Sequence, residues 1–185
     1  MRRALLCGAS LISVQCGVGL LTVLHLHEVA SLAPGRAVLI LVAAQGVAGR
    51  ILLAAFSDRA GSRRQDVVTV SMLAVVVALA LLLTPVGRSP VAACVVFVWL
   101  GFFGIGWYGP WVALVSEVAP AGRTGFALGL AMAVNQVAIV LVPPLLGLLR
   151  DVTGGFAVPW ALLIAMTCTA LAGTAWPRYG AIDQS

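Results

Sequence analysis

Charge is what this sequence has least of. Asp, Glu, Lys and Arg make up 9% of its 185 residues, against about 25% in soluble domains, and lysine is absent. A chain so poor in charge cannot clothe a water-facing surface, which excludes an ordinary soluble fold. Carboxylates number six, and none falls at the centre of an apolar run. Both histidines, His25 and His27, stand at the end of one run. An intramembrane enzyme needs a paired nucleophile and base, or clustered ligands, at membrane depth, and the sequence offers neither. The four cysteines, Cys7, Cys16, Cys94 and Cys168, each lie inside an apolar run, without a CxxC pair or histidine-flanked spacing. They read as small buried hydrophobes, so no disulfide, metal or cofactor is expected. The 11 basic residues, all Arg, are scattered and form no stripe, which argues against a nucleic-acid partner.

What is present is apolar sequence, 62% of the chain, in repeated runs of about 20 residues, the length that crosses a bilayer as a helix. Breaks at charge, Pro and Gly divide it into six expected spans, at about 4–28, 37–57, 67–86, 91–115, 124–149 and 156–176. The first is too long for the apolar region of a signal peptide and no small-residue cleavage site follows it, so it is expected to stay in the mature protein. Arg2, Arg3, Arg59, Arg63, Arg64, Arg123 and Arg178 fall on one side, and Arg36, Arg88 and Arg150 on the other. The positive-inside rule then puts both termini in the cytoplasm. Lysine-free, Ala/Val/Gly/Leu-rich usage fits GC-rich bacterial coding, hence a bacterial cytoplasmic membrane.

Polar residues are unevenly shared. The third span is apolar on every face and the sixth nearly so, whereas Gln15, Gln45, Arg50, Asn135 and Gln136 fall on spans one, two and five. Intramembrane amides must face protein or a water-filled cavity. Spans three and six are therefore expected outside, with one, two, four and five around something polar, a pattern that hints at a three-plus-three repeat.

Five of the 17 charged residues crowd into the 13 positions of "AAFSDRAGSRRQD", from Ala54 to Asp66. This loop resembles the signature of the major facilitator superfamily, approximately G-x-L-x-D-R-x-G-R-R/K. Asp58, Arg59, Gly61, Arg63 and Arg64 keep its chemistry, while Ala54 stands for the usual Gly, Phe56 for Leu, and Ser62 is inserted. A second stretch, "GWYGPWVALVSEVAPAGRTGFALGLAMAVNQVAIVLVPPLLGLLRDVTG", resembles helices ten and eleven of that family. It has a Glu-x-x-Pro loop, Arg-x-Gly entering a helix, mid-helix polar residues, a Pro-Pro-x-x-Gly exit and Asp-x-Thr-Gly. The likeness spans nearly the whole chain but only half of the family's twelve-helix architecture, its C-terminal half. It implies an all-α polytopic membrane protein, one six-helix domain over 1–185 arranged as a three-plus-three half of a major facilitator fold.

The resemblance also implies roles. Asp58, Arg59, Gly61, Arg63, Arg64 and Arg123 would form a cytoplasmic gating loop, Asp58 pairing with nearby Arg and with a helix N-terminus of the opposite half; alternatively Arg63 and Arg64 serve orientation alone. Substrate would meet midplane polar groups: Gln15, Gln45, Asn135 and Gln136, of which the adjacent last two cannot both face one cavity. The competing reading is an interhelical hydrogen bond of about 0.6 kcal/mol. Arg50, about 10 Å from the end of its span, either meets an anion or snorkels to the interface. In span four, Trp107 and Trp111 share a face, glycines and Pro110 make the helix easy to bend, and Trp107 with Tyr108 is expected to wall the substrate. His25 and Glu28, three residues apart, either form a proton-relay pair or are solvated interfacial groups. Gly125, Gly129 and Ala133 form a small-residue stripe for close helix packing, and Pro143-Pro144 is expected to kink span five.

The expected function is secondary active transport of a small solute by alternating access, with no enzymatic chemistry. The partners expected are the bilayer, the solute, and a second six-helix half or a homodimer partner. The alternatives are a truncated or inactive half-transporter, or an interaction subunit that needs a partner half.

Overall fold

The computed structural model describes residues 1–44, 47–59 and 64–175. Among them there is no strand, and the elements are α1 (Arg2–Glu28), α2 (Pro34–Ala44), α3 (Val47–Arg59), α4 (Arg64–Leu82), a 3-10 turn at Pro85–Arg88, α5 (Pro90–Gly106), α6 (Tyr108–Glu117), α7 (Thr124–Thr153) and α8 (Ala157–Ala175). Five stretches of described helix are long and apolar enough to cross a membrane: Arg2–Glu28, Arg64–Leu82, Pro90–Glu117, Thr124–Thr153 and Ala157–Thr174. The chain is a multi-pass membrane protein. The expected second span is covered by α2 and α3, of 11 and 13 residues, with positions 45–46 outside the described residues.

Local chemistry explains most of the boundaries. Pro90 opens α5 at the position where a missing N–H costs nothing. Gly154, at φ 65°, closes α7 in the left-handed conformation that a Cβ disfavours. The fourth expected span divides at Trp107. Pro110 has no N–H to offer the Gly106 carbonyl, so the ladder lapses there, and it resumes with the Trp111 N–H donating to the Trp107 carbonyl at 3.0 Å. By contrast, α7 remains one helix through Pro143 and Pro144.

The long central α1 packs against α2, α5, α7 and α8, and 61% of its most apolar stretch is enclosed. Leu11, Val14, Val18 and Leu21 sit at 0–1% exposure in the core. Polar ties cross this core: the Ser10 hydroxyl donates to Thr167 Oγ1 at 3.1 Å, and Trp111 Nε1 donates to the Ala4 carbonyl at 2.7 Å. The backbones of α3 and α5 cross in close contact. A Cβ on Gly49 would lie 2.5 Å from the Phe102 carbonyl oxygen, and one on Gly106 would lie 2.6 Å from the Gly49 carbonyl oxygen. Only two glycines allow the backbones to meet there.

Enclosure within the chain differs between the spans. The corresponding stretch of α4 is 44% enclosed, against 22% for α7. An all-apolar helix is as well suited to a bundle interior as to lipid, and α4 is wedged among α5, α6 and α8. The small-residue stripe meets no neighbour among the described residues: a Cβ on Gly125 or Gly129 would have nothing within 4 Å.

Candidate functional site

The two ends of the bundle differ in chemistry. One end carries Arg3, whose guanidinium donates to the Thr174 carbonyl at 3.2 Å, and a cavity of about 380 Å³ lined by Met1, Arg3, Gln65, Val118 and Thr174 among others. The opposite end holds a cavity of about 310 Å³ bordered by His25, Glu28, Thr84, Arg88 and Trp160. The expected in-and-out alternation of the helices requires this segregation.

Beside the first cavity, Arg64 joins three helices. Its guanidinium lies 3.6 Å from Asp58 Oδ1 and 3.2 Å from Glu117 Oε1. Asp58 is in the last turn of α3, Arg64 begins α4 and Glu117 ends α6. Helix C-termini carry partial negative charge and N-termini partial positive charge. Each of these three charges therefore sits at the end of its own helix where the dipole opposes it. By that local test the charges work against the individual helices, and they gain favourable partners only across helices. The side chains are 73% exposed at Asp58 and 49% at Glu117, so each pair stabilises by less than about 1 kcal/mol. A contact so weak can open and close without unfolding anything.

The sequence pointed to Asp58 and Arg64, and the structure brings them together. Arg59 and Arg123 are exposed near the same end and form no ion pair among the described residues. Gly61 and Arg63 lie outside the described residues. Glu117 was not singled out as a site residue, although its Glu-x-x-Pro loop was the available signal.

The candidate substrate residues divide. Trp107 is wholly enclosed, its ring 5.3 Å from Trp111 and 5.7 Å from Tyr108, and its indole N–H has no partner among the described residues. Tyr108 is the more open member at 38% exposure, and its hydroxyl donates to the Met132 sulfur at 3.1 Å. Met132 lies one turn before Asn135 and Gln136, so the break in span four is tied to the polar stretch of α7. Asn135 is 4% exposed and neither amide atom has a partner among the described residues, whereas Gln136 is exposed. Gln15 is half-buried and Arg50 exposed, and neither makes a hydrogen bond to the other candidates among the described residues. Gln45 lies outside the described residues.

At the opposite end, His25 and Glu28 do not pair with each other, and His25 is not a solvated interfacial group either. Glu28 is ion-paired with Arg150, which also donates to Asp151 Oδ1 at 3.0 Å. His25 turns instead into the core, at 2% exposure. No group of three or more metal-ligating side chains is found among the described residues.

A family model for the Major Facilitator Superfamily matches residues 1–143. Neither a curated protein nor a solved structure matches the chain.

Proposed function

From the premise that the chain belongs to the Major Facilitator Superfamily, a family of transporters, we propose that it is a secondary active carrier of a small solute across a bacterial cytoplasmic membrane. It works by alternating access as a six-span, three-plus-three half domain with both termini cytoplasmic. The observation that carries this reading is the Arg64 bridge between Asp58 and Glu117. It is a weak clamp built from charges at unfavourable helix ends, at the end of the bundle where arginine is densest. In this reading Asp58 and Arg64 latch the cytoplasmic side, and Arg59, Gly61, Arg63 and Arg123 complete the gate. Asn135, Gln136, Tyr108, Trp107, Gln15, Gln45 and Arg50 belong to the polar wall that solute meets.

A partner belongs to the same proposal. The exposed Gln136 at mid-span and the largely uncovered α7 leave an amide facing hydrocarbon, an unfavourable arrangement. A second six-helix half, or a second copy of the chain, would cover it. The alternative is an inactive half-transporter or an interaction subunit that waits for that partner.

The test is flux into proteoliposomes from a panel of small radiolabelled solutes, under an imposed proton gradient. A solute moved by the native chain and much more slowly by Asp58→Asn supports the carrier and its latch. Equal flux in Asp58→Asn removes the latch, and no flux of any solute favours the inactive half.

A further inference from the structure

His25 lies at the last turn of α1, where it is met by two groups of fixed hydrogen-bonding sense. Its Nε2 is 3.4 Å from the Gly87 carbonyl oxygen, and its Nδ1 is 3.2 Å from Trp160 Nε1. A carbonyl only accepts and an indole N–H only donates. One neutral tautomer satisfies both, with the proton on Nε2 and the lone pair on Nδ1. An imidazolium cannot, because its Nδ1–H would point at the indole N–H. The ring is also packed edge-on among Phe97, Phe156 and Trp160, at centroid distances of 5.5, 5.0 and 5.9 Å.

No free carboxylate stands ready to receive that charge. On α1, Glu28 is held by Arg150 of α7, which also holds Asp151 and lies over the Phe156 ring at 5.6 Å. His27 is turned away, its Nδ1 3.0 Å from the Leu32 carbonyl oxygen. The 3-10 turn contributes Arg88, a charge of the same sign, beside Gly87. Phe97 comes from α5, whose nearest ionisable group is Cys94, one turn back, and α8 contributes Trp160 with nothing ionisable in the surrounding turns. The cavity of about 310 Å³ is bordered by both His25 and Trp160, which gives water and protons access to the bond between them.

We propose that His25 is a proton-operated latch at the outer end of the bundle. Neutral, it ties α1, the Pro85–Arg88 turn and α8 together; protonated, it sets two donors face to face and releases them. The outward placement rests on the orientation given under Proposed function, but the latch itself does not. Its sign is fixed by the tautomer: closed while the imidazole is neutral, and open once falling pH protonates it. It is a second, chemically different control, at the end opposite the Arg64 clamp.

The test is thiol labelling of the chain in lipid nanodiscs, which needs neither transport nor a known orientation. Cys7, Cys16, Cys94 and Cys168 are replaced by Ala, and one cysteine is introduced by Leu82→Cys, a buried position that borders the cavity. A separate protein carrying Val158→Cys, exposed in the first turn of α8, corrects for the pH dependence of the reagent. The expected corrected labelling rises several-fold between neutral pH and the acid pH at which the His25 ring is protonated. In His25→Gln, whose amide can accept from Trp160 and donate to Gly87 without titrating, labelling stays low at both pH values. Flat labelling in the chain that keeps His25, or an equal rise in His25→Gln, overturns the proposal. A second measurement does not depend on that variant folding: ¹⁵N NMR of the histidine rings, with His27→Gln for assignment, must place His25 protonation at the labelling midpoint. Midpoints that do not coincide overturn it equally.

Discussion

Glu117, the last residue of α6, lies 3.2 Å from the guanidinium of Arg64, the first residue of α4, and that same guanidinium lies 3.6 Å from Asp58. One cation thus holds two carboxylates from helices that have no covalent reason to stay in register. If this clamp sets the equilibrium between inward-closed and inward-open forms, Glu117→Gln and Asp58→Asn should each slow flux several-fold. Neither should shift unfolding by more than about 1 kcal/mol, the ceiling for exposed pairs. Flux and thermal unfolding of the same purified proteins check this, and a loss of flux matched by a collapse in stability would mean the clamp is merely structural.

The crossing of α3 and α5 gives a sharper structural expectation. At Gly49 and Gly106 an added Cβ would meet backbone, which cannot rotate away as a side chain can. Gly49→Ala and Gly106→Ala should therefore destabilise by about 1–3 kcal/mol, the usual cost of overpacking. Gly129→Ala, with open space around it, should be neutral or gain from better helix propensity, up to about 1 kcal/mol. Thermal melts in one detergent, compared across the three proteins, decide the point, and equal behaviour at Gly49 and Gly129 would contradict the crossing.

Trp111 tests the attachment of α6 to α1. Its indole donates to the Ala4 carbonyl at 2.7 Å and its ring occupies the space a side chain at Gly8 would fill. Trp111→Phe keeps most of the ring and removes the donor, so it should cost about 0.5–1.5 kcal/mol. Gly8→Leu should cost more, since it displaces the whole indole. A melt in which Gly8→Leu is the milder change would show that the indole does not rest on α1.

The helices were readable because each crossing must bury its own backbone polarity, and that requirement leaves long apolar runs between Arg, Pro and Gly. The divide at Trp107 could be read too, from Pro110 and its glycine neighbours. What could not be read was which face of each helix is covered. The third span is apolar all round, a pattern equally at home in lipid or protein, and α4 is 44% enclosed where α7 is 22%. Pairing was equally hidden. His25 and Glu28 are neighbours by helix spacing, yet Glu28 finds Arg150 far along the chain while His25 finds Trp160. Such partners are fixed by packing, which no local spacing encodes. Asp58 and Arg64 were legible because their charges are conspicuous in so apolar a chain, whereas Glu117 drew attention only through its loop.

Asn135 offers the clearest separation of stability from function. Its amide is 4% exposed and neither polar atom has a partner among the described residues, although a buried amide without hydrogen bonds costs about 1–3 kcal/mol. It falls on the inward stripe of α7 with Ala127, Ala131, Val142 and Leu146, so packing alone would favour an aliphatic residue. Asn135→Leu, close in volume and free of unmet polar atoms, should therefore raise the melting temperature while lowering flux of any solute the native chain moves. Gln136→Leu, which removes an amide exposed to hydrocarbon, should also raise the melting temperature unless a partner covers that face. A leucine at 135 that preserves flux would remove Asn135 from the solute path. One that destabilises the protein would mean the amide has a water or protein partner in the membrane, and that its role is to hold α7 in place.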